Sequence, residues 1–411
     1  MLFLLAWRNL WRNRRRTLIS AGSVFFAVLL AVIMRSSTDG VYDGMIQNVV
    51  SFSSGFIQVH QRGYWEERSI EQNMLLDSNL IQSLIKDEDV RFVTPRLESF
   101  ALGSNAGKSA AQKTRGLAFI GVAQELEKKA SRLDRKVIRG RYFDADEDKG
   151  LLMGEGLADY FKLVPGDTLV LLSQGYHAAT AAALFPLRGI VSLGSPALSD
   201  NLAYMTLPTA QNFLSADGMC SAVSLYVRDV ERVDKVAKRL RLQLQGKPLE
   251  VMTWKEMMPE LDQFVTADRS GHLIIIGILY LVISFGLYST VLMMTFERSH
   301  EFGILISIGM RKRWLAGLVF METLFVSALG ALAGMAVSFF IVLYFYKNPI
   351  EFSGRLRTIY LEFGIEPIIH VAMKSNIFLY QALIVFILSV CAAGYPILRL
   401  LKLKPVEAMR T

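Results

Sequence analysis

Hydrophobic and polar positions divide the chain into four long apolar runs, parted by one large and two small polar stretches. The runs are Thr17–Met34, Leu273–Phe296, Leu315–Tyr346 and Ile377–Leu398. A helix needs roughly 20 apolar residues to cross about 30 Å of hydrocarbon, so each run predicts a membrane span. The second run has no formally charged residue and would measure about 36 Å as helix, and the third, holding only Glu322, about 48 Å. That excess length predicts tilt or protrusion. Gly317, Ala328, Gly330, Ala331, Gly334, Ala336 and Ser338 recur along the third run, and small residues let a neighbouring helix come close. The fourth carries Ala392, Ala393 and Gly394, with Pro396 near its inner end.

Basic residues orient the spans. Residues 1–16 carry Arg8, Arg12 and Arg14–Arg16. The stretch 297–314 carries Arg298, Arg311, Lys312 and Arg313, and the tail 399–411 has Arg399, Lys402, Lys404 and Arg410. The bias of Lys and Arg toward the cytoplasm places both termini and the 297–314 loop there, with 35–272 and 347–376 outside. Leu4, Leu5, Trp7, Leu10 and Trp11 can share one face of an interfacial helix over 1–16. The run that follows is longer than a signal-peptide core and lacks a small-residue cleavage site, so an uncleaved anchor is expected.

The 35–272 insert is long enough for its own core and is expected to hold two lobes. SGFIQVHQ, VRFVTPRL and LAFIGVA read as strands. GEGLADYFKLVPGDTLVLLS predicts a helix from Glu155, a turn at Pro165-Gly166-Asp167 and a strand. AVSLYVRDVERVDKVAKRLRLQL reads as a strand feeding an amphipathic helix that packs back on the first lobe, which makes that lobe discontinuous. The expected fold is thus a membrane protein of four transmembrane α-helices, with a large two-lobed α+β extracytoplasmic domain between the first two.

Composition agrees: 52% of residues are hydrophobic and mean hydropathy is +0.33. The net charge of +8 sits largely at the ends of the apolar runs and no nucleic-acid motif accompanies it, so nucleic acid is not an expected partner. The five His residues and Cys220 and Cys391 show no metal-ligand or disulfide spacing. Gly103 to Ser109 (GSNAGKS) imitates a phosphate-binding loop but places three residues between the glycines where that loop needs four. No catalytic constellation appears, so no enzyme activity is expected of the chain itself. Glu322, the lone acid inside a span, lies within two helical turns of the cytoplasmic end, where it can reach an interfacial Arg or Lys. Between Glu297 and Trp314, FGILISIG forms a short apolar segment that cannot bury its apolar face alone.

Four features resemble the FtsX/LolE/MacB family of ABC-transporter permeases: AWRNLWRNRRRT, HEFGILISIGM, the small-residue third span, and YPILRLLKLKPVEAMR. GEGLADYFKLVPGDTL resembles a segment of that family's extracytoplasmic domain. The resemblance implies that the 297–314 loop forms a coupling helix docking on a separate cytoplasmic ATPase, through Glu301, Phe302, Gly303, Ile304, Leu305, Ile308 and Gly309. ATP and magnesium would be used by that LolD-like partner, and this chain would bind no cofactor. A second permease copy or homologue is implied. The large insert favours the lipoprotein-releasing branch of the bacterial inner membrane, where a lipoprotein passes to a periplasmic carrier. Phe25, Val28, Leu29, Val32, Ile274, Ile278, Leu281 and Phe285 would then line an acyl cavity. The alternatives are a MacB-like export pump and an FtsX-like regulator of a cell-wall hydrolase.

Overall fold

The computed structural model describes residues 2–12, 14–105, 113–355 and 368–402, and the chain forms two compact units. The first comprises Met1–Asp43, Val265–Glu351 and Ile368–Thr411; the second comprises Gly44–Phe264 and Phe352–Pro367. The tail motif KPVEAMR and most of GSNAGKS lie outside the described residues.

Helices of the first unit are α1 (Leu2–Arg12) and α2 (Arg14–Ser53), whose last turns belong to the second unit. Among the described residues four helices are long and apolar enough to cross a membrane: Thr17–Ser53, Pro259–Glu297, Lys312–Lys347 and Ser375–Leu398. The first two exceed the apolar runs that predict them. Beyond Met34 the backbone of α2 stays helical because buried residues continue at four-residue spacing, Tyr42, Ile46 and Val50. Asp39 pairs with Arg35 one turn earlier at 3.1 Å. The second span starts at Pro259, a residue suited to a first helical turn, with Glu260 and Asp262 complementing the helix dipole.

The third span packs where its small residues predict. A Cβ on Gly330 would run into the Ala21 carbonyl oxygen, and one on Gly334 would lie 2.8 Å from that of Phe25. Both are therefore requirements of backbone approach between this helix and α2. Val24, Val28, Val32, Ile283, Leu287 and Ala331 fill the bundle core. Between the second and fourth spans, Tyr280 Oη donates to Gln381 Oε1 at 2.6 Å.

The second unit is built on one ten-stranded sheet. In chain order its strands are β1 (Ile57–Gln61), β2 (Val90–Ser104), β3 (Thr114–Val122), β4 (Val137–Gly140) and β5 (Leu151–Gly154). These are followed by β6 (Thr168–Gln174), β7 (Thr180–Val191), β8 (Leu202–Thr206), β9 (Ala222–Val227) and β10 (Leu249–Thr253). Their order is β10-β1-β9-β2-β3-β8-β5-β7-β4, with β6 paired to β2 and β7. The two expected lobes are thus two ends of one sheet, because β2 is 15 residues long and pairs with β9 at its start and with β6 at its end. The predicted return of the late strand holds: β9 and β10 flank β1. Strand alternation then makes two cores. Phe119, Leu151, Met153, Ala203 and Met205 face one side; Ile120, Leu152, Leu202 and Tyr204 face the other.

Gly103 and Ser104 sit in β2, paired with Arg115 and Thr114. A Cβ at Gly103 would crowd Leu117 at 2.7 Å and Phe161 at 3.2 Å. Packing against that core accounts for this glycine, which lies in a strand and not in a loop entering a helix.

At the end of α2, Arg96 is fully buried with Glu127, at 2.7 Å. Its guanidinium also donates to the carbonyls of Ser51 (3.0 Å) and Ser53 (2.7 Å), while Tyr204 Oη donates to that of Phe52 at 2.7 Å. The last carbonyls of a helix have no partners within it, and here buried side chains supply them.

Candidate coupling site

The loop between the second and third spans folds from its own sequence signals. The second span, here α5 (Pro259–Glu297) after α3 (Gln124–Ala130) and α4 (Val233–Gln243), ends at Glu297, and Arg298 caps the helix that follows. A nine-residue helix α6 (Ser299–Ser307) follows, and then the third span α7 (Lys312–Lys347). Gly309, at φ +106°, closes α6. Its N–H donates to Ile306 O and that of Met310 to Leu305 O, both at 3.0 Å, the paired bonds of a glycine-terminated helix. Nothing lies within 4 Å of where its Cβ would be, so the backbone angle alone explains this glycine.

The helix has two unlike faces. Phe302 is 1% exposed and packs with Ala6 of α1, Val291 of α5, and Leu315, Leu318 and Val319 of α7. Gly303 is buried and Leu305 half-buried against the same cluster. Glu301, Ile304 and Ile308, three and then four residues apart, share the outer face; Ile304 is 41% and Ile308 79% exposed. Of the residues that the resemblance implies for the ATPase contact, Phe302 and Gly303 therefore face inward. Phe302 and Gly303 fix the helix to its own protein, because the largest apolar side chain of the segment finds a ready core there. Ile304, Ile308, Glu301 and Gly309 stay exposed.

A chain of charges pins the helix in place. Arg12 Nη2 donates to both carboxylate oxygens of Glu301 at 2.7 and 2.8 Å. Arg298 Nε donates to Glu301 at 3.2 Å, and its Nη1 to the two oxygens of Glu322 at 2.9 and 2.8 Å. Asn9 Nδ2 completes Glu322 at 2.7 Å. The Glu301 carboxyl is held below the usual carboxylate range, first by the Arg12 hydrogen bond, against some burial, and then by Arg298. Glu322 reaches an interfacial arginine as expected. Arg12 and Asn9 escaped the sequence reading as partners of these acids, since a pairing across 289 or 313 residues leaves no local signal. One hint was available: Asn9 is a polar residue lying between the buried Ala6 and Leu10 on α1.

On α1 itself, Ala6 and Leu10 are buried, whereas Leu4 and Trp11 stay exposed. Leu10 is therefore covered by protein and leaves the lipid-facing set in which the sequence placed it. Trp7 packs edge-on to Phe325 at 5.9 Å.

The expected acyl-cavity residues separate into two groups. Val28 and Val32 are buried in the bundle core, and Phe25 and Leu29 are half-buried. Ile274, Ile278, Leu281 and Phe285 form one outward stripe on α5, each more than half exposed. Val28 and Val32 therefore line no cavity with that stripe in the single chain, since the close approach of α7 fills the space beside them.

The FtsX-like permease C-terminal family model matches residues 273–405, the segment that contains α6 and the three later spans. Over that segment the chain is an FtsX-like permease, and as a whole it is similar to ABC-transporter permeases of this type. The permease is similar to LolC, a lipoprotein-releasing system transmembrane protein, of Neisseria meningitidis, with 21% identity over 81% of this chain and 81% of that protein. It is also similar to LolC of Xylella fastidiosa, 21% identical over 71% of this chain and 72% of the relative. A MacB macrolide export ATP-binding/permease protein from an Azoarcus species is 28% identical over 40% of the permease and 26% of its own length. Among solved structures, the permease is similar to the periplasmic region of MacB from Actinobacillus actinomycetemcomitans. That likeness has 15% identity, a TM-score of 0.34, and covers 50% of this chain and 92% of the other.

Proposed function

We propose that the permease couples a separate cytoplasmic ABC ATPase to the extraction of lipoproteins from the bacterial inner membrane, for delivery toward the outer membrane. The observation that carries this reading is the outer face of α6, where Ile304 and Ile308 stand exposed on a helix locked by Phe302, Glu301 and Arg298. An apolar pair on a short, rigidly held helix suits a groove in a partner protein. Nucleotide-driven closure of a LolD-like ATPase, using ATP and magnesium, would displace α6, and Phe302 with the Arg298–Glu322 pair would carry that displacement into α5 and α7. Both termini and α6 lie in the cytoplasm on this reading, and the inserted domain lies in the periplasm. The LolC relatives, each matched over more than 70% of this chain, favour lipoprotein as cargo. A second permease copy or homologue would cover the exposed stripe of α5 and complete an acyl-binding space.

The test is isolation of the full chain with its native partners, with mass spectrometry of bound proteins and acylated species. An ABC ATPase with triacylated lipoprotein is the expected result. An ATPase with a periplasmic adaptor and no lipoprotein would replace the cargo assignment with export, the reading to which the MacB relative points. Absence of any ATPase would overturn the coupling role.

A further inference from the structure

A cavity of about 460 Å³ opens in the second unit beside the end of α2, within the size range of small-ligand sites. Its wall includes five cationic residues, Arg91, Lys129, Arg132, Arg135 and Lys136, and among the described residues that line it none is acidic. Like charges gathered at one cleft repel one another, and a cleft lined by one sign of charge draws counter-ions. Acids close in sequence are committed elsewhere. Glu127 is taken by the buried Arg96 at 2.7 Å, and Asp89 by Arg232 and Arg239 at 2.9 and 2.8 Å. Asp134, between Arg132 and Arg135, is not part of the wall. Arg91, Lys129, Arg132 and Arg135 enter no ion pair among the described residues.

The cleft also has an apolar side. Phe52, Phe56 and Phe92 contribute rings, with Arg91 over Phe92 at 5.2 Å and Lys136 over Phe52 at 5.7 Å. A cation held against a ring face keeps its charge near the cleft. Arg132 sits at φ +57° with a side chain that disfavours that region, and strain of this kind concentrates at functional positions. Three arginines supply planar donor forks matched to phosphate oxygens, and the two lysines add point charge.

We propose that this cleft binds a phosphate ester, with Arg132 and Arg135 holding the phosphate and the phenylalanine wall covering the organic part. A lipid headgroup and a soluble organic phosphate share that chemistry. The site is independent of the ATPase-coupling reading, and neither result decides the other.

The experiment titrates the detergent-solubilised full chain by isothermal calorimetry with glycerol 3-phosphate and with dihexanoyl phosphatidylglycerol below its micellar concentration. Wild type is compared with the Arg132→Gln/Arg135→Gln double variant, with Lys129→Gln, and with Lys238→Gln, an exposed residue outside the cleft. Expected is saturable binding near one per chain that weakens at least tenfold in the double variant, falls less in Lys129→Gln, and is unchanged in Lys238→Gln. Tighter binding of the lipid identifies a headgroup site, and equal binding a soluble phosphate ester. Should the double variant misfold, Lys129→Gln against Lys238→Gln decides. No saturable binding, or an equal loss in the Lys238→Gln control, overturns the proposal.

Discussion

Arg298 donates from a single nitrogen to both carboxylate oxygens of Glu322, at 2.9 and 2.8 Å, across the junction of α5 and α7. Glu322 is 2% exposed and Arg298 16%. Removing Glu322 leaves Arg298 with only the exposed Glu301 as counter-charge, which costs about 1–3 kcal/mol. Glu322→Gln is expected to lower the thermal midpoint of the purified permease by several degrees. The swapped pair Arg298→Glu with Glu322→Arg should recover part of that loss. An unchanged midpoint in Glu322→Gln would show that the pair contributes nothing.

The two faces of α6 predict two different phenotypes. Ile304→Ala with Ile308→Ala removes exposed surface, so folding should survive while stimulation of the partner ATPase falls at least fivefold. Phe302→Ala opens a space in the cluster around Leu315 and Val319, at about 3–5 kcal/mol. That variant should lose stability first and activity as a consequence. Thermal unfolding measured beside ATPase assays separates the two, and full stimulation by the isoleucine double variant would remove α6 from the partner interface.

How far these features were legible in the sequence depends on the range of the interactions that fix them. The four spans, the helix after Glu155 and the strand at Ala222–Val227 are written in local periodicity, and they appear where the pattern places them. The inner and outer faces of α6 were not legible. Ile304 and Phe302 are equally apolar, and only the arrival of Leu315 and Ala6 from elsewhere in the chain decides which is covered. Likewise Leu10 and Leu4 look alike in an amphipathic helix until one of them meets a neighbour. The small residues of the third span marked the close contact with α2 without naming its partner.

That contact is itself testable. Gly334→Leu would drive a side chain into the Phe25 carbonyl and Val28, whose Cβ lies 3.0 Å from the position of the new Cβ. Overpacking of this kind costs about 1–3 kcal/mol, so the permease should unfold at lower temperature, while Gly277→Leu in the second span should be milder. Nothing lies within 4 Å of where a Cβ on Gly277 would be. Equal effects of the two substitutions would contradict close packing at Gly334.

Asp148 sets an acid limit for the inserted domain. Burial alone would raise its pKa, but the N–H groups of Gly150 (2.9 Å) and Asp144 (3.4 Å) and the guanidinium of Arg188 (2.9 Å) outweigh burial and lower it. A carboxyl with a depressed folded-state pKa binds its proton more readily when unfolded. Its stabilisation is therefore complete above the unfolded value of about 3.9 and is lost as pH falls through the lower, folded value. Chemical denaturation of the permease from pH 6 to 2.5 should show the domain weakening below about pH 4. Asp148→Asn should be less stable at pH 6 and should flatten that acid slope. A slope identical to wild type would mean that Asp148 is not among the groups responsible.

The buried Arg96 makes the last of these expectations sharp. It pairs with Glu127 and also closes the carbonyls of Ser51 and Ser53 at the end of α2, so its loss exposes two kinds of deficit. Arg96→Met leaves Glu127 charged in a site that is 1% exposed and takes from the Ser53 carbonyl its side-chain donor, while Ser51 keeps Tyr226. The single variant should lose about 3–5 kcal/mol. Adding Glu127→Leu removes the stranded charge but restores no donor to Ser53, so recovery should be incomplete. Hydrogen exchange at the amides of Val49–Ser53 should then stay faster than wild type in both variants. Full recovery of stability and of exchange in the double variant would show that Arg96 serves Glu127 alone, with the helix end held by Tyr204 and Tyr226 without it.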